Sequence, residues 1–112
     1  MFELKDLPSR FQKKIISDLQ YLLDREIPGL EQIYLFGSVA RGDYKWDSDV
    51  DLAIITKDTL TDRALRGEIA DVLGMPIDGI TSDVVFRTCN NHSMSSVFDQ
   101  VFERDKVLLW SK

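Results

Sequence analysis

The residues best suited to chemistry in this chain are acidic. Asp49 and Asp51 lie in the stretch YLFGSVARGDYKWDSDVDLAII, Tyr34 to Ile55, which also holds the dipeptide Gly37-Ser38. Strand side chains alternate faces, so Asp49 and Asp51 point the same way, roughly 6.6 Å apart, while Val50, Leu52 and Ile54 point into the core. Two carboxylates on one face repel each other, and a hard divalent cation such as Mg²⁺, which takes oxygen ligands and keeps room for substrate phosphates, neutralises such a pair. Gly37 permits a tight turn and close approach of a ligand to the backbone, and Ser38 adds a hydroxyl where a short helix can start with free N–H groups. Together they read as a phosphate cradle. Paired aspartates after a polar loop also occur as turn formers and solvated strand-edge groups, and it is the Gly37-Ser38 turn that favours the chemical reading. A third acid, Asp83, sits among Val84, Val85 and Phe86. In a central apolar strand it is costly unless paired or metal-bound; as an exposed strand-end acid beside Ser82 it needs no such partner.

Elements must exist to position these groups. Asp6 and Pro8 open a helix whose apolar stripe is Phe11, Ile15, Leu19, Leu22 and Leu23, ended by Pro28-Gly29. Residues 31–36 form a first strand, 38–42 a short helix or turn, 43–48 a loop, and 49–56 a second strand. Leu65, Ile69, Val72 and Leu73 mark an amphipathic helix over 58–73, ended by Gly74 and Pro76. The turn Asp78-Gly79 leads to a third strand over 80–87. Val97, Phe98, Val101 and Phe102 mark a further helix capped by a loop serine, and 106–110 a last short strand. The alternation predicts an α/β (α+β) fold, a small mixed sheet of about four strands with helices packed mainly on one face.

The spacing of Gly37-Ser38 from Asp49-x-Asp51, within GSVARG and SDVDL, resembles the signature of the DNA polymerase β-type nucleotidyltransferases and their minimal nucleotidyltransferase (MNT) branch. The motif residues are Gly37, Ser38, Arg41, Gly42, Ser48, Asp49 and Asp51, and the resemblance covers nearly the whole chain, read as one minimal domain over 1–112. It implies that Asp49 and Asp51 hold the metal carrying a triphosphate, and that Asp83, matching the family's third carboxylate, completes a second Mg²⁺ position and helps deprotonate the acceptor. It further implies that Gly37 and Ser38 hold phosphates with Arg41 and Ser48 beside them, that ATP is the substrate, and that pyrophosphate leaves. Stand-alone members of the branch are typically antitoxins that bind a HEPN ribonuclease toxin and transfer AMP to its hydroxyls, notably a tyrosine. The alternatives are a binding-only antitoxin that blocks its partner sterically, against which the intact carboxylates argue, and transfer to a small molecule of the aminoglycoside type, whose enzymes usually add a helical acceptor domain.

Bulk properties narrow the field. A net charge of −5 makes long DNA or RNA a poor partner, because such binding depends on neutralising phosphates with Lys and Arg. The acidic surface suits a basic protein partner, and a homo-oligomer is left open. No apolar run approaches the ~20 residues that span a bilayer, and the start of the chain, with Glu3 and Asp6, lacks the pattern of a signal segment. With one cysteine, Cys89, a cytoplasmic protein without an internal disulfide is expected. His92 is expected at the surface or at a cap, Cys89 as a small, partly buried residue, and Arg41 is as easily an ion-paired surface residue as a phosphate ligand. Tyr44 and Trp46 are read as local packing on the surface, with a partner- or nucleotide-stacking role as the alternative.

Overall fold

The computed structural model describes residues 4–88 and 97–112, and begins with a single 3-10 turn over Leu4–Asp6. The elements that follow are α1 (Ser9–Asp24), β1 (Leu30–Phe36), α2 (Gly37–Arg41), β2 (Val50–Thr56), α3 (Arg63–Leu73), β3 (Ser82–Thr88), α4 (Val97–Asp105) and β4 (Val107–Ser111). The strands form one sheet in the order β3-β2-β1-β4. β1 runs antiparallel to both β2 and β4, and β2 runs parallel to β3 across the α3 crossover. The sheet is therefore mixed, as its alternating pattern predicts.

The larger core lies on the face covered by α1 and α3. Phe11, Ile15 and Leu22 of α1 and Leu65, Ile69 and Leu73 of α3 meet Ile33 and Leu35 of β1 and Val50, Leu52 and Ile54 of β2. Each such fully buried aliphatic side chain stabilises the fold by about 1.5–3 kcal/mol. Leu23, placed in the α1 stripe by sequence, is 38% exposed, since it falls one position past the inward-facing Leu22. The second face carries a smaller cluster, in which Phe36, Ala53, Ile55 and Phe102 pack with Tyr34 and Val85. Phe102 stands edge-on to Tyr34 and Phe36, with ring centroids 5.7 and 5.4 Å apart. β2 is consequently buried on both faces, although strict alternation would have required only Val50, Leu52 and Ile54 inside.

Several boundaries differ from the sequence reading for identifiable reasons. α1 stops at Asp24, ahead of Pro28-Gly29, and Glu26 takes a left-handed conformation with φ 56°. α3 starts at Arg63 because the Asp62 carboxylate accepts from the Leu65 N–H at 3.1 Å, a side-chain cap that ends the preceding extended run. Asp78 and Gly79 both have positive φ, 52° and 80°, as a tight reversal between the bridged residues Ile77 and Ile80 requires. β3 is an edge strand and not a central one, because β4 joins the sheet beside β1. Its apolar residues serve both cores: Val84 and Phe86 lean on the larger, Val85 on the smaller. The serine cap expected for α4, together with His92, Cys89 and the side chains of Val97, Phe98 and Val101, lies outside the described residues.

A polar group crosses the larger core. Lys14, with 1% of its surface exposed, donates to Asp18 Oδ1 and to the Leu73 carbonyl, both at 2.8 Å, and the Ser82 hydroxyl donates to Asp18 Oδ2. Burial pushes the Asp18 carboxyl above its ordinary range, with the Lys14 and Ser82 bonds opposing that rise. This cluster fastens α1 to the end of α3 and to the first residue of β3. Removing one member strands a buried charge, so Asp18→Ala is expected to destabilise the protein by about 3–5 kcal/mol in urea unfolding, while Lys14→Met with Asp18→Leu together should cost far less. Equal losses for the single and double variants would show that the network does not hold the fold this way.

Candidate active site

Sheet register brings the acids together. Phe36 at the end of β1 pairs with Asp51, and Asp51 pairs with Asp83 across the parallel β2–β3 ladder. Residues paired in this way share a face, so Asp51 and Asp83 stand side by side on the α4 side of the sheet. Asp49 precedes β2 by one residue, and its Oδ1 accepts from the Thr81 hydroxyl at 2.8 Å. Thr81 is also tied to β2 through its carbonyl, which accepts from Val50 N–H at 3.0 Å.

Gly37 closes the turn from β1 into α2. Its φ is 78°, and a Cβ at this position would overlap the Asp51 carboxylate. Only glycine satisfies both constraints without displacing Asp51. The start of α2, with Ser38 at its second position, therefore lies beside Asp51. Gly42 ends the helix in a left-handed conformation, φ 84°, its N–H donating to the Ser38 carbonyl at 3.0 Å.

The electrostatics record the crowding. Asp51 is half-buried, and its pKa is pushed from 3.8 up to about 6, chiefly by desolvation, then by the charges of Asp83 and Asp49, with Arg41 opposing. Arg41 is thus close enough to act on Asp51, yet its guanidinium is held by Asp105 at 2.8 Å and Asp43 at 3.2 Å. The ion-paired reading of Arg41 describes this arrangement. Asp105, at the end of α4, is almost fully buried, and bonds from Arg104 and then Arg41 hold its carboxyl below the ordinary range. Ser48 braces the loop: its hydroxyl accepts from Lys45 N–H at 2.7 Å. Tyr44 packs on Phe11 with ring centroids 5.0 Å apart, as the local-packing reading requires. Trp46 is 75% exposed, its carbonyl accepting from Arg10 Nε at 3.3 Å.

Sequence reasoning missed Lys14, Asp18, Ser82, Thr81 and Asp105. Asp18 carried a signal, since it occupies the Phe11–Ile15–Leu22 stripe at helical spacing, four residues from Lys14. Asp105 carried another: an acid in the last turn opposes the helix dipole and calls for a cationic partner.

The donor set suits a hard cation. Asp49, Asp51 and Asp83 offer only oxygen, and partial burial, with the neighbouring carboxylates adding to it, raises the Asp51 pKa. Among the described residues no group of three or more acidic, histidine or cysteine side chains is placed to hold a metal ion by itself. An ion held by these acids would need oxygens of the substrate to complete its coordination. A cleft of about 260 Å³ lined by Thr56, Leu60, Arg66 and Phe86 lies toward the other end of β2 and β3, three residues (~10 Å) along β3 from Asp83 and five (~17 Å) along β2 from Asp51.

This fold and motif define a nucleotidyltransferase domain. The chain belongs to the family described as Polymerase beta, Nucleotidyltransferase, whose sequence profile matches residues 13–112. It is 37% identical over 79 residues to protein adenylyltransferase MntA of Shewanella oneidensis, covering 70% of this chain and 56% of that protein. The chain thus spans little more than half the length of that curated relative. Among solved structures it is similar to a toxin–antitoxin crystallised with AMP-PNP, with a TM-score of 0.59 and 35% identity, covering 89% of this chain and 73% of the other. It is also similar to a complex of tri-AMPylated Shewanella oneidensis HEPN toxin with MNT antitoxin, with a TM-score of 0.55 and 29% identity, covering 88% and 73%.

The crowding has a consequence for stability. Because the folded-state pKa of Asp51 is raised, the folded protein binds more protons than the unfolded chain between 3.8 and about 6, and stability falls as pH rises through that window. Asp51→Asn should therefore raise the stability of the metal-free protein at pH 7 by about 1–2 kcal/mol, a value discounted for partial exposure. Calorimetry at pH 7 and pH 4 checks this; a stabilisation of equal size at both pH values would contradict the charge account.

Proposed function

We propose that this chain is a nucleotidyltransferase that moves AMP from ATP to a hydroxyl group, a tyrosine of a HEPN-type toxin, and thereby acts as the toxin's antitoxin in the cytoplasm. The observation that carries the reading is the register of Asp51 with Asp83 beside the Gly37 turn. The relatives point the same way, one by its designation as a protein adenylyltransferase and another by its AMPylated partner. No helix among the described residues is long and apolar enough to cross a membrane.

The roles follow from position. Asp49 and Asp51 would hold Mg²⁺ together with the triphosphate, and Asp83 would contribute to a second Mg²⁺ position. Mg²⁺, when bound, offsets phosphate charge and polarises the α-phosphoryl group. The N–H groups of Gly37 and Ser38 and the Ser38 hydroxyl receive the β- and γ-phosphates. Arg41 adds positive charge at the rim, and Ser48 sets the loop that delivers Asp49. The acceptor hydroxyl oxygen attacks the α-phosphorus, and a new O–P bond forms as the bond to the bridging oxygen breaks. Pyrophosphate leaves, and the acceptor proton passes to the Asp83 carboxylate.

Incubation with ATP, Mg²⁺ and the HEPN protein encoded beside this chain should add one or more AMP masses to that partner. Asp49→Asn with Asp51→Asn should abolish the addition by at least about a thousandfold, the scale of lost charge stabilisation, with the fold retained by circular dichroism. A complex with unchanged masses would instead favour a purely steric antitoxin, and transfer surviving in the double variant would remove these acids from the chemistry.

A further inference from the structure

The outer edge of β3 carries no strand partner among the described residues, and β3 forms a cleft of about 430 Å³ with α3, lined by Arg63, Arg66, Gly67, Ala70, Val84 and Phe86. We propose that this edge and cleft dock an extended acidic segment of the acceptor protein, adding it to the sheet as a further strand; the proposal rests on the reading that the acceptor is a protein.

Edge strands expose unpaired N–H and C=O groups that template another chain. Gly67 is a second observation, independent of the edge. It lies inside a helix, where glycine costs about 1 kcal/mol relative to alanine, and its Cβ position meets no atom within 4 Å. Nothing within the described fold requires glycine there, and its effect is to keep the cleft wall low beside the open strand. Charge supplies a third. In a chain of net charge −5, Arg63 and Arg66 both face this cleft, with the Arg66 guanidinium 5.2 Å from the Phe86 ring centre.

Continuity with the acids sets the direction. Asp83 is the second residue of β3, so a side chain opposite it on an added strand projects to the face shared with Asp51. Arg66 and Phe86 lie about three residues, ~10 Å, further along β3. The segment would place its hydroxyl residue beside Asp83 and its acidic residues about three positions away, over the arginines. Asp83 repels acids from the other end and so fixes the polarity.

The test is an NMR titration of the ¹⁵N-labelled full chain, with Mg²⁺ and AMP-PNP present, using a synthetic extended peptide that carries a tyrosine and a Glu-Glu pair three positions away. A second peptide replaces Glu-Glu with Lys-Lys. Shifts should run along β3 and α3, and the Glu peptide should bind at least about tenfold more tightly than the Lys peptide. Arg63→Glu with Arg66→Glu should reverse that preference. Gly67→Leu, which gains helix propensity and so keeps the fold, should weaken the Glu peptide about tenfold while AMP-PNP binding is unchanged. Shifts confined to β4 or to the 43–48 loop, or affinities indifferent to Gly67→Leu and to charge reversal, would overturn the proposal. Cleft-dependent binding without any AMP transfer would sustain the docking surface and count against the functional reading alone.

Discussion

Like charges gathered at the starts of β2 and β3 set the terms for the rest of the molecule. Asp51 and Asp83 are adjacent in register, Asp49 stands one residue before the strand, and partial burial, reinforced by the charges of Asp83 and Asp49, lifts the Asp51 pKa to about 6. An isolated chain has little reason to hold such a group, since each carboxylate is easier to solvate alone. On the proposed function, cation and phosphate are the occupants, and the same crowding then becomes affinity. Gly37 belongs to the same constraint. A residue with a side chain there would displace Asp51, so the turn that presents N–H groups and the acid that presents oxygen occupy neighbouring space because one of them has no Cβ.

The strand ends that carry this repulsion are clamped from both faces. Beneath the sheet, the Lys14–Asp18–Ser82 cluster ties α1 to the residue next to Asp83. Above it, Arg41 and Asp105 tie α2 to α4. A buried ion pair is weak evidence for stability in general, since desolvation offsets attraction. Here its location gives it another use, which is to fix the register on which the alignment of Asp51 with Asp83 depends. The two clamps also distribute charge: Arg41 moderates Asp51 while engaged by Asp105, so α4 and the acids are electrostatically linked.

Much of this was legible in the sequence, and the misses have physical causes. The Gly37-Ser38 turn, the D-x-D strand, the helix stripes and the Asp78-Gly79 reversal are local patterns, in which the residue type is dictated by backbone geometry or by periodicity within one element. Asp83 was recognisable as a candidate, but its place on an edge strand was not, because strand order depends on where β4 pairs and no local pattern encodes that. Burial of Ala53 and Ile55 was hidden for the same reason, as it required α4 to cover the second face. Asp18 and Asp105 were visible as anomalies, one inside an apolar stripe and one opposing a helix dipole, yet their partners Ser82 and Arg41 are both 64 residues distant in sequence. Such pairings become readable only when the topology is known.

The proton affinity of the Asp51 carboxyl is the property of the site most directly open to measurement. Carbon-13 NMR titration of Asp51 in the metal-free protein should give a midpoint near 6, well above the ordinary 3.8, and Mg²⁺ with AMP-PNP should move that midpoint well below its metal-free value. A midpoint near 3.8 that Mg²⁺ and nucleotide leave unmoved would mean that Asp51 is neither partly buried nor crowded by Asp83 and Asp49, and the site as described would not exist.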